Sequence, residues 1–408
     1  MKTFKRILSI FLALLTVISV MAVGAGTFTA SAESNGVFTY YIDDDKTAVL
    51  VKAIDMDYAG KTFVIPAEID GYKVKCVDSD KFLDDLRKSG NADMITSLKI
   101  EEGIVQLDAH GMYNDPDYID DDEHPDYDYK GLFAGLKNLR NISIPKSMKS
   151  IDIGMFSNCT SLKRLIIPDT VEQIEYNAFG GCTALEYVTL PSKIKSIPRN
   201  AFKNCKSLTY IKFPSTVKSI GNSAFAYCES LYGKLVLPKN LEKIGYKAFY
   251  GCKSLTGKLE IPKKLKEIEA GAFAFCMGIT GFRIAEGNKY FTQKNGALFN
   301  RKKTHIYSYL PSKNVDNYKV PSTVKSISSY TFAGTKYLRK ITLPSKMRTI
   351  GRYAFYKSKV KDVVIPKSVR YILDSAFKNC KNIKTLKLPS SEVRQESQAQ
   401  IRQDQITA

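Results

Sequence analysis

Apolar positions recur with a fixed period through most of the chain. From Leu139 the sequence reads LRNISIPKSMKSIDIGMFSNCTS and then LKRLIIPDTVEQIEYNAFGGCTA, and both segments follow the pattern L-x-x-I-x-I-P-x-x-V-x-x-I-x-x-x-A-F-x-x-C-x-x. The copies from Leu139 are 23 residues long, and the two that begin at Leu231 and Leu255 are 24. The pattern resumes at Val315 after an interruption and ends in a half copy at Ile383. A fixed period in this range predicts a solenoid.

Each copy predicts two short strands and one tight turn. The motifs L-x-x-I-x-I and V-x-x-I give two extended runs, the proline ends the first run, and Ala-Phe-x-x-Cys fits a brief helical turn. One copy cannot bury its own apolar residues, so copies must stack and each apolar slot becomes a ladder through the core. We therefore predict a repeat solenoid over residues 95–389, built mainly of short parallel strands with brief helical turns.

The repeat resembles the leucine-rich repeat, and more closely the BspA-like variant of bacterial surface proteins. One copy shows the signature residues Ile211, Pro214, Val217, Ile220, Ala224, Phe225 and Cys228. The resemblance covers about residues 95–389, although the asparagine ladder of the commonest leucine-rich repeats is missing. It implies an exported protein that adheres to host components or to other cells, and we expect a binding module for host or microbial surface proteins.

One cysteine marks the same slot in consecutive copies: Cys159, Cys182, Cys205, Cys228, Cys252 and Cys276. At an inward slot cysteine behaves as a small apolar residue. Export would favour disulfides, but stacked copies hold these side chains parallel, whereas a disulfide needs convergent Cβ atoms. Thr335 and Ser358 fill the slot in two later copies. We therefore predict buried, reduced thiols; Cys76 and Cys380 are left unassigned.

The first 32 residues have the features of a secretory signal peptide. Basic residues precede an apolar run, and Ala30-Ser31-Ala32 supplies a cleavage site. An uncleaved N-terminal anchor is the alternative. With the signal removed, we expect a secreted protein that is extracellular or associated with the cell wall and has no transmembrane anchor.

The regions that flank the repeats are out of register with them. In residues 33–94 we expect extended runs at 38–42, 46–54 and 62–65 and a helix at about 80–88. Because solenoids need a polar terminal cap, we predict a capping region here, with a functional N-terminal domain as the alternative. Residues 390–408 form a polar, glutamine-rich tail, which either caps the solenoid or marks a truncated chain.

Two insertions interrupt the repeats. Residues 113–130 are rich in aspartate, and the calcium candidates are Asp115, Asp117, Asp120 and Asp122. Several carboxylates suit a hard cation, but the segment lacks the glycine and terminal glutamate of an EF-hand, so a solvated acidic loop is the other interpretation. Residues 281–313 contain Asn295-Gly296 between apolar runs, which predicts hairpins that continue the sheet.

Charge is unevenly distributed along the chain, whose net charge is +20. Residues 33–128 contain 24 acidic and 9 basic residues, whereas residues 129–408 carry a net charge of +32. One repeat slot, directly after the valine of V-x-x-I, is basic in seven copies. We call these residues the basic stripe: Lys149, Lys195, Lys218, Lys266, Lys325, Arg348 and Arg370. Stacking would align them on one face, either as a solvated surface or as a site for polyanions.

The sequence contains little that indicates catalysis. Its three histidines, His110, His124 and His305, lie in no metalloprotease or nucleophile-elbow motif. We therefore expect no enzymatic activity and no cofactor. The expected partner is an extracellular protein or, alternatively, an anionic surface polymer or acidic glycan that holds the protein at the wall. We expect a monomer without specific affinity for nucleic acid.

Overall fold

A computed structural model of the chain describes residues 33–34, 38–42, 46–53, 62–77, 91–107 and 131–388. The predicted signal peptide, the predicted helix at about 80–88, the acidic insertion with its four calcium candidates, and the C-terminal tail lie outside these residues. The described residues contain no helix with the length and apolar character that a membrane span requires.

The chain divides into two compact units, of which the first comprises residues 1–127 and 142–148. Its described strands are β1 (Glu33–Ser34), β2 (Phe38–Ile42), β3 (Ala48–Ala53), β4 (Thr62–Ile65), β5 (Glu68–Ile69), β6 (Tyr72–Val77) and β7 (Ser97–Ile100), with a 3-10 helix at Asn91–Met94. The three extended runs predicted from the sequence are confirmed. The strands β2 and β3 pair antiparallel, while β3–β6 and β4–β7 are parallel pairs. Phe38, Tyr40, Phe63 and Ile65 are buried.

The second unit, residues 128–141 and 149–408, contains the solenoid. The repeat units, or rungs, contribute the first strands β10 (Arg164–Ile166), β12 (Tyr187–Thr189), β15 (Gly233–Lys234), β17 (Leu255–Ile261), β19 (Gly278–Ile284), β23 (Asn317–Lys319), β25 (Lys340–Thr342), β27 (Asp362–Val364) and β29 (Thr385–Lys387). The rung that begins at Leu208 has an isolated bridge at Tyr210 in this place. The short strand β8 (Asn141–Ser143) contains residues of both units. We call the surface formed by these first strands the first-strand face.

The second strand of each rung forms another face, the second-strand face. Its strands are β9 (Ser150–Ile151), β11 (Gln173–Ile174), β13 (Ser196–Ile197), β14 (Ser219–Ile220), β16 (Lys243–Ile244), β18 (Glu267–Ile268), β24 (Ser326–Ile327), β26 (Thr349–Ile350) and β28 (Tyr371–Ile372). Strands of successive rungs pair in parallel and in register, for example Ile197 with Ile220. The predicted solenoid of short parallel strands is confirmed.

Each Ala-Phe-x-x-Cys segment forms a compact turn. In one copy the backbone N–H of Cys182 donates to the carbonyl oxygen of Phe179 at 3.3 Å, which closes the turn over three residues. The N–H of Phe179 donates in turn to the carbonyl oxygen of Ala201 on the next rung, at 3.0 Å. The turns are therefore stacked by backbone hydrogen bonds in the same way as the strands.

The repeated phenylalanines stack in the core. The first stack runs through Phe133, Phe156, Phe179, Phe202, Phe225, Phe249 and Phe273, with ring centroids 5.3 to 5.7 Å apart. A second stack, formed by Phe332, Phe355 and Phe377, has spacings of 5.1 and 4.9 Å. All these rings are buried, as expected for an inward ladder.

The ladder cysteines are buried beside the phenylalanines. Cys182, Cys205, Cys228, Cys252 and Cys276 are free thiols, and Cys159 is likewise a buried residue outside any disulfide. Cys380, which the sequence left unassigned, occupies the same column. The prediction of buried, reduced thiols is confirmed for this ladder.

The insertion at residues 281–313 forms the predicted hairpins. It contributes β20 (Phe291–Lys294), β21 (Ala297–Asn300) and β22 (His305–Tyr309). These strands pair antiparallel in succession, and β22 then pairs in parallel with β24, so the sheet continues. Asn295 and Gly296 connect β20 and β21 with φ angles of 50° and 83°, the left-handed values that a two-residue Asn-Gly turn needs.

Candidate binding surfaces

The structure brings the basic stripe into one column of the second-strand face. The backbone N–H of Lys218 donates to the carbonyl oxygen of Lys195 at 2.7 Å, and the same contact links Arg348 to Lys325 and Arg370 to Arg348 at 2.7 and 2.8 Å. All seven side chains are exposed. The column therefore presents its charges to solvent.

Two glutamates stand in the same column and divide the stripe. The N–H of Glu172 donates to the carbonyl oxygen of Lys149, and that of Glu242 to Lys218, so each glutamate occupies a stripe position. The Lys266 ammonium donates to Glu242 Oε2 at 2.7 Å and lowers the pKa of that carboxyl. The basic residues of the slot alone do not reveal this interruption, but the alignment of copies places Glu172 and Glu242 in the same slot.

The last three members of the stripe form an uninterrupted segment. Lys325, Arg348 and Arg370 occupy consecutive rungs, and their strands pair through Ile327, Ile350 and Ile372. Within the described part of the chain, none of the three basic side chains forms an ion pair. We call these three residues the C-terminal basic run.

The first-strand face carries a row of exposed apolar and aromatic side chains. Its members and exposed fractions are Ile166 (70%), Tyr187 (46%), Tyr210 (53%), Tyr232 (64%) and Val236 (69%). They belong to four successive rungs, and Tyr187 and Tyr210 lie side by side in a parallel β-bridge. We call this set the tyrosine row.

A cluster of aromatic rings surrounds Lys247 on the turn side. The Lys247 Nζ lies 5.0, 5.5 and 4.9 Å from the ring centroids of Tyr246, Tyr250 and Tyr330, within the range of cation–π attraction. Tyr330 follows the hairpin insertion in sequence, so the cluster packs the turns on either side of the insertion. A lysine already fills its centre, which makes this a packing feature of the solenoid.

His305 contacts two serine hydroxyls of the following rung. Its Nδ1 lies 2.5 Å from Ser326 Oγ and its Nε2 lies 2.6 Å from Ser328 Oγ. Burial lowers the pKa of the imidazole, and no carboxylate among the described residues hydrogen-bonds it. A serine nucleophile needs a base that a third group orients, so this arrangement links two rungs and gives no support to catalysis. Across the same residues, histidine, cysteine and acidic side chains form no group of three that could hold a metal.

Comparison with known proteins agrees with the solenoid. The family model for the BspA type leucine rich repeat region matches residues 129–256, 231–312 and 302–402. A leucine-rich cell surface protein from Faecalibacterium prausnitzii is similar at 19% identity, over 92% of this chain and 98% of that one, with a TM-score of 0.58. At this identity the likeness supports the fold alone.

Two further solved structures have lower TM-scores. A leucine-rich repeat protein from Eubacterium ventriosum is 20% identical over 87% of this chain and 70% of that one, with a TM-score of 0.47. The pneumococcal vaccine antigen PcpA is 20% identical over 87% of this chain and 81% of that one, with a TM-score of 0.49. No curated protein matches the chain. Because the family model matches well over half of its residues, the chain belongs to the BspA type leucine-rich repeat family.

Proposed function

We propose that this protein is a non-catalytic, extracellular repeat module that binds a host or microbial surface protein through the tyrosine row. The observation that carries the proposal is the exposure of Tyr187, Tyr210 and Tyr232 on three successive rungs of the first-strand face. Contiguous exposed apolar surface commonly marks an interaction site, and tyrosine is enriched among residues that dominate binding energy.

The surroundings of the tyrosine row favour a partner with an acidic rim. Lys163, Arg164, Lys212 and Lys234 are exposed on the same face, against one exposed acidic neighbour, Glu186. An apolar centre with a charged border is the usual anatomy of a protein interface. The border would guide encounter with an acidic partner, while the rings would supply most of the affinity.

Replacing the three tyrosines tests the proposal. Mature protein and a Tyr187→Ala/Tyr210→Ala/Tyr232→Ala variant would be passed over immobilised host matrix and microbial surface proteins. We expect the variant to lose at least tenfold in affinity for a bound protein, and the wild-type complex to persist in high salt. A Tyr290→Ala/Tyr337→Ala variant, which changes tyrosines of similar exposure elsewhere, should bind normally. Equal affinity of all three proteins for every partner would refute the proposal.

A second candidate function is attachment to anionic wall polymers or acidic glycans. The net charge of +32 over residues 129–408 and the alignment of Lys149 through Arg370 on one face favour it. Attraction between exposed charges is screened by salt, so this binding should weaken steeply as salt rises. The basic stripe could also serve only as a solvated surface that keeps the solenoid soluble; in that case no polyanion would bind measurably at physiological salt.

A further inference from the structure

We propose that an anionic polysaccharide binds along the second-strand face of the C-terminal rungs, at Lys325, Arg348 and Arg370. This inference rests on the second candidate function and narrows it from the whole basic stripe to the C-terminal basic run. The ligand class is a linear glycan or glycopolymer that bears sulfate, phosphate or carboxylate groups.

The spacing of the C-terminal basic run suits a linear polymer. Neighbouring strands in a sheet lie about 4.8 Å apart, so three consecutive rungs present three cations over roughly 10 Å. A small anion would engage one or two of these side chains, whereas a polymer with anionic groups about 5 Å apart would engage all three. The two arginines add planar forks that suit the oxygen pairs of sulfate, phosphate or carboxylate.

The C-terminal rungs also contain few acids to neutralise these charges. Residues 301–374 include 17 basic and 3 acidic residues, whereas residues 131–300 include 25 basic and 11 acidic. Asp362 is in a first strand, Asp316 directly precedes one, and Asp374 pairs with Arg352 at 3.1 Å. In the earlier rungs lysines in or beside the second strands are paired with glutamates, as in Lys266–Glu242 and Lys243–Glu269, both at 2.7 Å.

The side chains beside the C-terminal basic run favour a sugar over a nucleic acid. Thr349 and Tyr371 directly follow Arg348 and Arg370 in the chain and belong to the same strand pair. A hydroxyl and one ring that is 45% exposed suit hydrogen bonding and stacking with a sugar. Proteins that hold single-stranded nucleic acid instead line their grooves with several aromatic platforms.

Two variants of equal net charge test the location. The first is Lys325→Gln/Arg348→Gln/Arg370→Gln and the second, its matched control, is Lys195→Gln/Lys218→Gln/Lys266→Gln. Each removes three exposed charges from the same column. Affinities of the mature proteins for a heparin oligosaccharide, for poly(glycerol phosphate) and for an oligothymidylate of similar charge would be measured by calorimetry over a range of salt concentrations.

We expect the first variant to lose about 10- to 100-fold in affinity for the heparin oligosaccharide, for poly(glycerol phosphate) or for both. Its salt dependence should flatten by roughly the three lost contacts. The control should lose less than about threefold. Comparison of the heparin and poly(glycerol phosphate) results distinguishes a sulfated glycan from a phosphate-bearing wall polymer as the source of the ligand.

Other outcomes would overturn the inference. Equal losses in the two variants would mean diffuse attraction, which keeps the second candidate function but removes the site. If the oligothymidylate binds more tightly than both heparin and poly(glycerol phosphate), and the first variant loses this binding, the run would be assigned to nucleic acid. If no probe binds the wild-type protein, both the site and the second candidate function fail. Circular dichroism checks folding, and a single Arg348→Gln variant, with an expected loss of about threefold or more, replaces the triple variant if that variant unfolds.

Discussion

Each ladder cysteine from Cys159 to Cys276 donates its thiol hydrogen to the carbonyl oxygen of a phenylalanine on the preceding rung, at 3.1 to 3.3 Å. Cys380 makes the same contact at 2.8 Å. Alanine would fit the slot without a donor. Thr335 also supplies a donor in this slot, but its hydroxyl donates to the carbonyl oxygen of Phe332 within its own turn, at 3.0 Å. Small volume and a weak donor together explain the recurrence of cysteine.

The buried thiols predict a loss of stability at alkaline pH. Burial raises the pKa of Cys182 and of Cys276 from 9.0 to about 12. Because these thiols stay protonated in the folded protein and ionise in the unfolded chain, their contribution to stability is complete below pH 9 and is lost as pH rises towards 12. Urea unfolding at pH 8 and pH 10 measures the effect.

A Cys182→Ser/Cys276→Ser variant serves as the control, because serine does not ionise in this range. Its free energy of unfolding should fall less between the two pH values than that of the wild type. Iodoacetamide provides a second check: native protein should resist labelling at both sites, and unfolded protein without reductant should react. Rapid labelling of the native protein would contradict the burial.

A second group of residues takes left-handed backbone angles in the turns. Lys247, Phe275, Tyr330 and Tyr353 have φ between 54° and 61°, a region that costs a residue with a Cβ atom about 1 to 2 kcal/mol. Asparagine or glycine fills these positions in most other turns, because both residues adopt left-handed backbone angles at lower cost. These four residues pack in or against the aromatic cluster around Lys247, and this packing offsets the backbone cost.

Substitution of Gly334 tests how tightly the aromatic cluster is packed. Its φ is 67°, and a Cβ atom there would lie 2.6 Å from the Phe275 ring. We expect Gly334→Ala to lower the free energy of unfolding by about 2 to 4 kcal/mol, from the combined backbone and steric costs. Gly233 is a matched control, because its φ is 79° and no atom lies within 4 Å of a Cβ built there. Gly233→Ala should cost only about 1 kcal/mol; equal losses in urea unfolding would contradict the close packing.

The repeat pattern of the sequence predicts some features of the strands and the hairpin but not others. The hairpin turn was predictable because Asn295-Gly296 fixes a local geometry, and the inward phenylalanines were predictable because every copy repeats them. The contacts of His305 with Ser326 and Ser328 were not, because they depend on how β22 rejoins the register after the hairpin. The contact between Tyr246 and Tyr330, whose ring centroids are 6.3 Å apart, was not predictable either. It arises because the hairpin insertion stands in place of a turn, so that turns distant in sequence come together.

The two phenylalanine stacks predict local loss of stability in separate regions. Phe225→Ala should cost roughly 3 to 5 kcal/mol, because it leaves a cavity between buried rings. Rungs share stability mainly with their neighbours, so hydrogen exchange should accelerate most around Phe202 and Phe249. Phe355→Ala should instead affect residues near Phe332 and Phe377. Uniform acceleration across the solenoid in both variants would show that the hairpin does not separate the stacks.

In the second unit, the order of basic and acidic residues from rung to rung cannot be read from the composition. The column of the basic stripe is interrupted at Glu172 and Glu242, and its longest run of consecutive basic residues extends from Lys325 to Arg370. The net charge of residues 129–408 follows from the sequence. The segment whose basic side chains lack ion pairs among the described residues could be located only from the contacts between side chains in the structure.

Filling the two gaps predicts a gain of polyanion binding. In a Glu172→Lys/Glu242→Lys variant the column would be basic without interruption from Lys149 to Lys266. If continuity decides affinity, the variant should bind a heparin oligosaccharide at least tenfold more tightly than the wild type and with a steeper salt dependence. A Glu229→Lys/Glu260→Lys variant gains the same charge outside the column. An equal gain in that control would indicate that net charge alone matters.

The register of the strands determines which insertions and deletions in the gene the fold can accommodate. Leu165 pairs with Val188, and Ile197 with Ile220, so each position meets its own equivalent one repeat later. Removal or duplication of one complete repeat therefore leaves matching surfaces on both sides of the junction, whereas any other length brings mismatched side chains together. Recombination between similar repeats can thus change the length of the encoded solenoid in whole steps, and descendants can differ in the number of binding positions they present without acquiring a new fold.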